Sequence, residues 1–148
     1  MEKLFAENLW LVFALLSAVM ASLVGIFGKI GLTAADPNAA TAVRAVIMTV
    51  FLLGVVIFQG SLNQIPAIIN DKKTLTFVAL SGVAGALSWL FYFWALKFGK
   101  VSQVAPVDKL SVVIATILAV AFLGEKVSLI GAIGVGLIAV GTILVALG

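Results

Sequence analysis

The stretch VAPVDKLSVV, Val104 to Val113, sets an aspartate and a lysine side by side, two residues after a proline, inside a run that otherwise reads as a membrane span. Outside that stretch the chain is still more apolar. Of its 148 residues 64% are hydrophobic and 10% charged, and the mean hydropathy of +1.30 lies far above that of a water-soluble domain of this length. Apolar runs of about twenty residues recur, and about twenty helical residues cross a hydrocarbon core roughly 30 Å thick. The expected class is therefore an all-α membrane protein.

Five spans are predicted, near 9–32, 39–59, 75–96, 101–123 and 128–147. The breaks carry loop chemistry: TAADPNAA, QGSLNQIPAIINDKK, KFGKVSQ and the short GEKVS. Short breaks make consecutive spans antiparallel neighbours. The 59–74 loop is long enough for a surface turn, with IPAII at the membrane interface. The first apolar run is read as a mature span and not as a cleaved signal peptide. Although Val19-Met20-Ala21 resembles a cleavage site, Glu2 and Glu7 precede the run and it continues to Gly31.

Composition also excludes chemistry. Without cysteine or histidine there are no disulfides, no usual zinc sets and no imidazole relays. No cofactor and no metal are expected. Neither a nucleophile with its base nor a glycine-rich phosphate loop is present, so nothing in the sequence supports an enzyme. The net charge of +3 comes from basic residues scattered between spans, which argues against nucleic-acid binding.

Small residues follow one helical face in the first span (Ala14, Ala18, Ala21, Gly25, Gly28) and in the third (Ser81, Gly85, Ser88, Tyr92, Ala95). Such stripes let helices approach closely in lipid, where there is no hydrophobic drive for association. The fifth span carries no charge and has Ala132 and Gly136 at small-xxx-small spacing, the pattern of a helix that packs on other helices.

With five spans the termini face opposite sides. The N-terminal side holds Lys3, Lys72, Lys73 and Lys126. The other holds Lys29, Lys97 and Lys100, with Arg44 and Lys109 deeper. No clear excess of positive charge orients the chain. Two copies inserted in opposite senses would form an inverted repeat, the symmetry many transporters use for alternating access.

Asp108 and Lys109 fall roughly 10 to 12 Å inside the fourth span, near the midplane, and Arg44 and Lys29 approach from the same side. Intramembrane charges cost about 2.5 to 3.5 kcal/mol each on insertion scales, so they usually pair, face a cavity or do work. The economical arrangement pairs Arg44 with Asp108 and leaves Lys109 unpaired, with Lys29 snorkelling to the interface. Adjacent helical residues project about 100° apart, so one of Asp108 and Lys109 is expected to face the cavity and the other a neighbouring helix. The surplus positive charge favours an anionic or zwitterionic ligand. Pro106 frees the Ser102 carbonyl and kinks the span. A carboxylate this close to two cations is a poor proton carrier. Tyr92, on the small-residue face of WLFYFWALKFGK, is a candidate cavity wall, and Trp94 a residue of the interfacial aromatic belt.

At its end the chain reads APVDKLSVVIATILAVAFLGEKVSLIGAIGVGLIAVGTILVAL. With Pro106 entering a span, a Gly124-Glu125 turn closing it and a glycine-rich last helix, this resembles the EamA-type domain of the drug/metabolite transporter superfamily. Including WALKFGKVSQVAPV and five spans, the resemblance covers nearly the whole chain. Typical members resemble two such halves in inverted orientation, so the resemblance implies one half of an inverted-repeat transporter that must pair. It also implies a cavity lined by the first four spans and a dimer contact at the fifth, with Glu125 at the turn. The small multidrug exporters of a related branch carry a glutamate inside their first span; here that span has no acid. The reading is thus a multi-pass protein of the inner membrane, an antiparallel homodimer in the lipid bilayer, moving a small metabolite by alternating access. Candidate substrate residues are Asp108, Lys109, Arg44, Tyr92 and Pro106. A multidrug exporter of organic cations and a non-transporting subunit of a hetero-oligomeric complex are the alternatives.

Overall fold

A computed structural model describes residues 2–148, with side chains described from Leu9 onward. Glu2, Lys3 and Glu7, which entered the signal-peptide and orientation readings, have side chains outside that described set. Helices account for nearly all described residues: α1 (Glu2–Gly31), α2 (Pro37–Phe58), α3 (Ile65–Asn70), α4 (Lys72–Phe98), α5 (Val101–Asp108), α6 (Leu110–Leu118) and α7 (Leu129–Leu147). Five segments among them are long and apolar enough to cross a membrane: Leu9–Gly31, Pro37–Phe58, Lys72–Phe98, Val101–Leu123 and Leu129–Leu147. The protein is an all-α, multi-pass membrane protein. The spans match expectation to within about three residues, and the 59–74 loop holds a 3₁₀ turn at Leu62–Gln64 and the short α3.

Local chemistry sets the helix ends. Asp36 caps α2, its Oδ1 accepting from the backbone N–H of Asn38 and Ala39 at 2.9 and 3.0 Å, and Pro37 supplies the preset φ of a first helical residue. Ser128 caps α7, with Oγ 3.1 Å from the Gly131 N–H. Asp71 accepts from the Lys73 N–H at 3.2 Å and from the Thr74 hydroxyl, so α4 starts three residues earlier than hydropathy alone placed it. After α6 a π-helical turn, Ala119–Leu123, ends on Gly124 at φ +68°, a left-handed conformation that suits glycine. The Glu125 N–H then returns to the Ala119 carbonyl at 3.3 Å, fixing the turn that Gly124-Glu125 predicted.

The chain divides into two compact units, Ile30–Lys97 and Met1–Lys29 with Phe98–Gly148. In the first, packing gathers at one end. Leu32, Phe93 and Leu96 are 2%, 4% and 0% exposed, and Pro37 is buried, while α2 and α4 further along are almost wholly exposed. Lys97 ties that end together, its amine 3.2 Å from both the Leu32 and the Ala35 carbonyl. In the second unit α7 packs on α5 and α6 through a face of Gly131, Val135, Ala139 and the buried Thr142.

The small-residue stripes serve in part. Gly25 is buried and Gly28 half-buried, but Ala14, Ala18 and Ala21 are exposed. On α4 the packed face is Trp89, Phe93 and Leu96, and Ser81, Ser88 and Ala95 point elsewhere. Gly85 and Tyr92 of the predicted stripe are half-buried, so the stripe takes part in packing only at those two positions. Ala132 and Gly136 are also exposed.

Candidate functional site

Pro106 decides the local backbone of the fourth span. Its ring removes one N–H and clashes with the preceding turn, and the helix breaks three residues later. Lys109 (φ −71°, ψ −6°) ends α5 and precedes α6. Tight i to i+3 bonds flank the break, Lys109 N–H to the Pro106 carbonyl at 2.9 Å and Val112 N–H to the Lys109 carbonyl at 3.0 Å. The Pro106 carbonyl accepts a second bond at 3.3 Å, from the Thr142 hydroxyl on α7. The uncharged last span therefore contributes a polar group, whose hydroxyl is itself satisfied by a carbonyl at the helix break.

Asp108 and Lys109 also meet differently from expectation. Lys109 was expected to stay unpaired, and on a regular helix the two side chains diverge. In the structure Lys109 Nζ lies 3.1 Å from Asp108 Oδ2, so the neighbours form an ion pair with each other. Asp108 is still helical and Lys109 keeps a helical φ of −71°, so it is the long, flexible lysine stem that folds the ammonium back onto the adjacent carboxylate. The pair remains accessible, with the Lys109 side chain 52% and that of Asp108 34% exposed.

Lys29 finds an acceptor within the protein. Its amine, expected to snorkel, donates to the Gly99 carbonyl at 2.8 Å and is part-buried. Gly99 lies in the short break between α4 and α5, so the bond is compatible with an amine carried toward a span end.

Arg44 and Tyr92 lie in the other unit, and an aromatic group brings them together. The Arg44 Cζ sits 3.5 Å from the Trp89 ring centroid and 5.7 Å from that of Phe93. Trp89 meets Tyr92 edge-on at 5.6 Å and 83°, and Phe93 at 6.1 Å and 88°. Arginine stacks on aromatic faces because its guanidinium is planar and weakly hydrated, and the contact strengthens when desolvated. Trp94, expected in the interfacial belt, donates its indole N–H to Asn38 Oδ1 at 2.8 Å and links the start of α2 to α4.

Sequence reasoning missed Trp89 and Thr142. Trp89 is one ring of the aromatic run WLFYFWALKFGK, and nothing in the sequence singles it out; its partner is 45 positions away on another helix. For Thr142 a signal existed, since it is the sole hydroxyl inside an otherwise apolar α7. Among the described residues no group of three or more acidic side chains that could hold a metal ion occurs.

The sequence profile of the EamA-like transporter family matches residues 8–147. A Sinorhizobium protein named as an uncharacterized transporter in the cobO 3′ region is 43% identical over 137 residues, covering 93% of this chain and 96% of that protein. An uncharacterized protein of Methanocaldococcus jannaschii is 36% identical over 80 residues, 54% of this chain and 58% of the relative. No solved structure matches.

Proposed function

The chain belongs to the EamA-like transporter family and is a membrane transporter, and from that premise we propose that it moves a small anionic or zwitterionic metabolite by alternating access, as an antiparallel homodimer in the inner membrane. The observation that carries the reading is the family match over residues 8–147, which spans all five membrane segments. One such set forms half of an inverted repeat, and two copies in opposite orientation complete it. The balanced distribution of lysine and arginine supports insertion in both senses.

In this reading the break at Lys109 is where the fourth span handles the substrate. Asp108 and Lys109 form a paired, accessible dipole at membrane depth, and a passing carboxylate competes with Asp108 for the ammonium group. Arg44 and Tyr92 supply a second polar and aromatic surface. The charge balance of these residues is positive, which supports an anion or zwitterion over a free organic cation. Ala132 and Gly136, exposed on α7, are the proposed contact between copies.

Two experiments test this. Reporter fusions after Gly148, one active in the cytoplasm and one outside it, should both show activity; activity from one alone overturns the antiparallel homodimer. Asp108→Ala and Lys109→Ala should each lower initial uptake at least about tenfold, roughly 1.4 kcal/mol, with membrane insertion unchanged. Wild-type uptake in both variants removes these residues from the substrate path.

A further inference from the structure

Arg44 is the sole ionisable residue of α2, seven residues past Pro37 and so about 10 Å along the helix. Its unit contains two acids, Asp36 and Asp71. Both are engaged at helix starts, Asp36 with Asn38 and Ala39, Asp71 with Lys73 and Thr74. No carboxylate of its own unit therefore neutralises Arg44, although an arginine at membrane depth ordinarily finds one.

Its partner is the Trp89 face, at 3.5 Å. Stacking occupies the flat side of the guanidinium. The five N–H donors lie in its plane and point outward from the edge. No described residue of the unit accepts a hydrogen bond from that edge, and no buried side-chain nitrogen or oxygen among the described residues lacks a partner, so the edge is open to an incoming group. A planar fork held by a ring, with its donors unused, matches a carboxylate that accepts two parallel bonds.

Two further observations narrow the ligand. The charge is single: the amine of Lys97 is committed to the Leu32 and Ala35 carbonyls, and Lys72 and Lys73 stand at the opposite end of α4. One cation matches a monoanion better than a phosphate dianion. Beside the fork, Trp89 stands edge-on to both Tyr92 and Phe93, which are tilted to each other at 43°, and Trp89 and Tyr92 are half-buried and so reachable. Such a surface suits a flat apolar body.

We propose that the Arg44 edge, positioned by Trp89, binds the carboxylate of the transported molecule, and that the adjoining rings select a flat, apolar or aromatic monocarboxylate. This rests on the transporter reading insofar as the ligand is called a substrate. Arg44 touches the ligand; Trp89 is a positioning residue that orients it.

The test is equilibrium binding of radiolabelled benzoate to the purified full chain in mild detergent. Saturable binding is expected in the wild type, at least about tenfold weaker in Arg44→Gln. Arg44→Lys should also weaken it, since the ammonium keeps the charge and loses the fork. Trp89→Ala should lose most of the affinity and Trp89→Phe should retain most of it, a rescue that follows from restoring a ring face. Phenyl phosphate should compete more weakly than benzoate, and benzylammonium should not compete. Absence of saturable benzoate binding by monodisperse, helical wild type overturns the proposal. So does unchanged affinity in Arg44→Gln or, should that variant not fold, in Arg44→Lys. Tighter competition by phenyl phosphate overturns the carboxylate class, and competition by benzylammonium overturns the anion site. Because binding is read without transport, a chain that binds benzoate and transports nothing counts against the transport reading alone. A chain that transports and ignores benzoate counts against this site alone.

Discussion

Lys109 and Arg44 are both cations placed at membrane depth, and the protein accommodates them by different physics. Lys109 sits at a break in its helix and takes the adjacent Asp108 as counterion at 3.1 Å. Arg44 sits inside the unbroken α2 and lies 3.5 Å over the Trp89 ring. The contrast follows from the two side chains. A lysine ammonium is a compact, strongly hydrated charge that needs acceptors, whereas a guanidinium spreads its charge over a plane that a ring can cover. Each solution leaves something accessible: a polar dipole at Lys109 and a hydrogen-bonding edge at Arg44.

The largest expected effect comes from exchanging the charges of the first region. In Asp108→Lys with Lys109→Asp the same pair can form, so insertion should match wild type while uptake falls at least about tenfold, because the order of the charges along the path is reversed. Equal uptake would reduce the pair to charge balance alone, and proteoliposome uptake with a parallel insertion assay decides it. Next comes the second region. Trp89→Ala removes both the face under Arg44 and the rings' shared contacts, and should cost about 1 to 2 kcal/mol in a detergent melt, with Arg44→Ala added to Trp89→Ala costing little more. Additive losses would mean that Arg44 and Trp89 act independently.

A smaller effect separates the two faces of α7. A methyl group at Gly131 would meet Val127 Cγ1 at 3.2 Å and Ser128 Oγ at 3.3 Å, whereas at Gly136 it would meet nothing within 4 Å. Within a lone protomer Gly136→Ala should therefore gain up to about 1 kcal/mol of helix propensity, and Gly131→Ala should gain little because it disturbs the Ser128 cap. A loss of stability in Gly136→Ala, measured by thermal melts at two protein concentrations, would reveal a second helix on that face. The smallest effect concerns pH. Hydrogen bonds from the Thr74 side chain and from the backbone of Lys73 and Thr74 hold the Asp71 carboxyl below the usual carboxylate range. Its contribution is present above that range and is lost as pH falls through the lowered folded value. The start of α4 should fray slightly in acid and not between neutral and alkaline pH, as amide exchange near Thr74 would report.

The five spans were legible because each is a long apolar run closed by a signal read at short range: Asp36-Pro37, Gly124, Ser128. Pro106 likewise announced the disturbance in the fourth span, since the missing N–H is a property of the residue itself. The stripes were misleading in part. Spacing gives a face but not a partner, and the α4 face carrying Trp89, Phe93 and Leu96 proved to be the packed one. The acceptor that Lys29 finds, 70 positions away, is likewise invisible to helical periodicity.

By itself the sequence determined the membrane class, the number and ends of the spans, the exclusion of histidine and cysteine chemistry, and the candidate charges, since these depend on composition and on interactions within a few residues. Only the tertiary structure decided which group each charge meets. Lys109 turned back to the adjacent Asp108, Thr142 reached the Pro106 carbonyl because α7 packs there, and Arg44 found a ring on another helix. The last two outcomes depend on distances between segments far apart in the chain, and a cation's choice between carboxylate, carbonyl and aromatic face is made by whichever lies within a few ångströms.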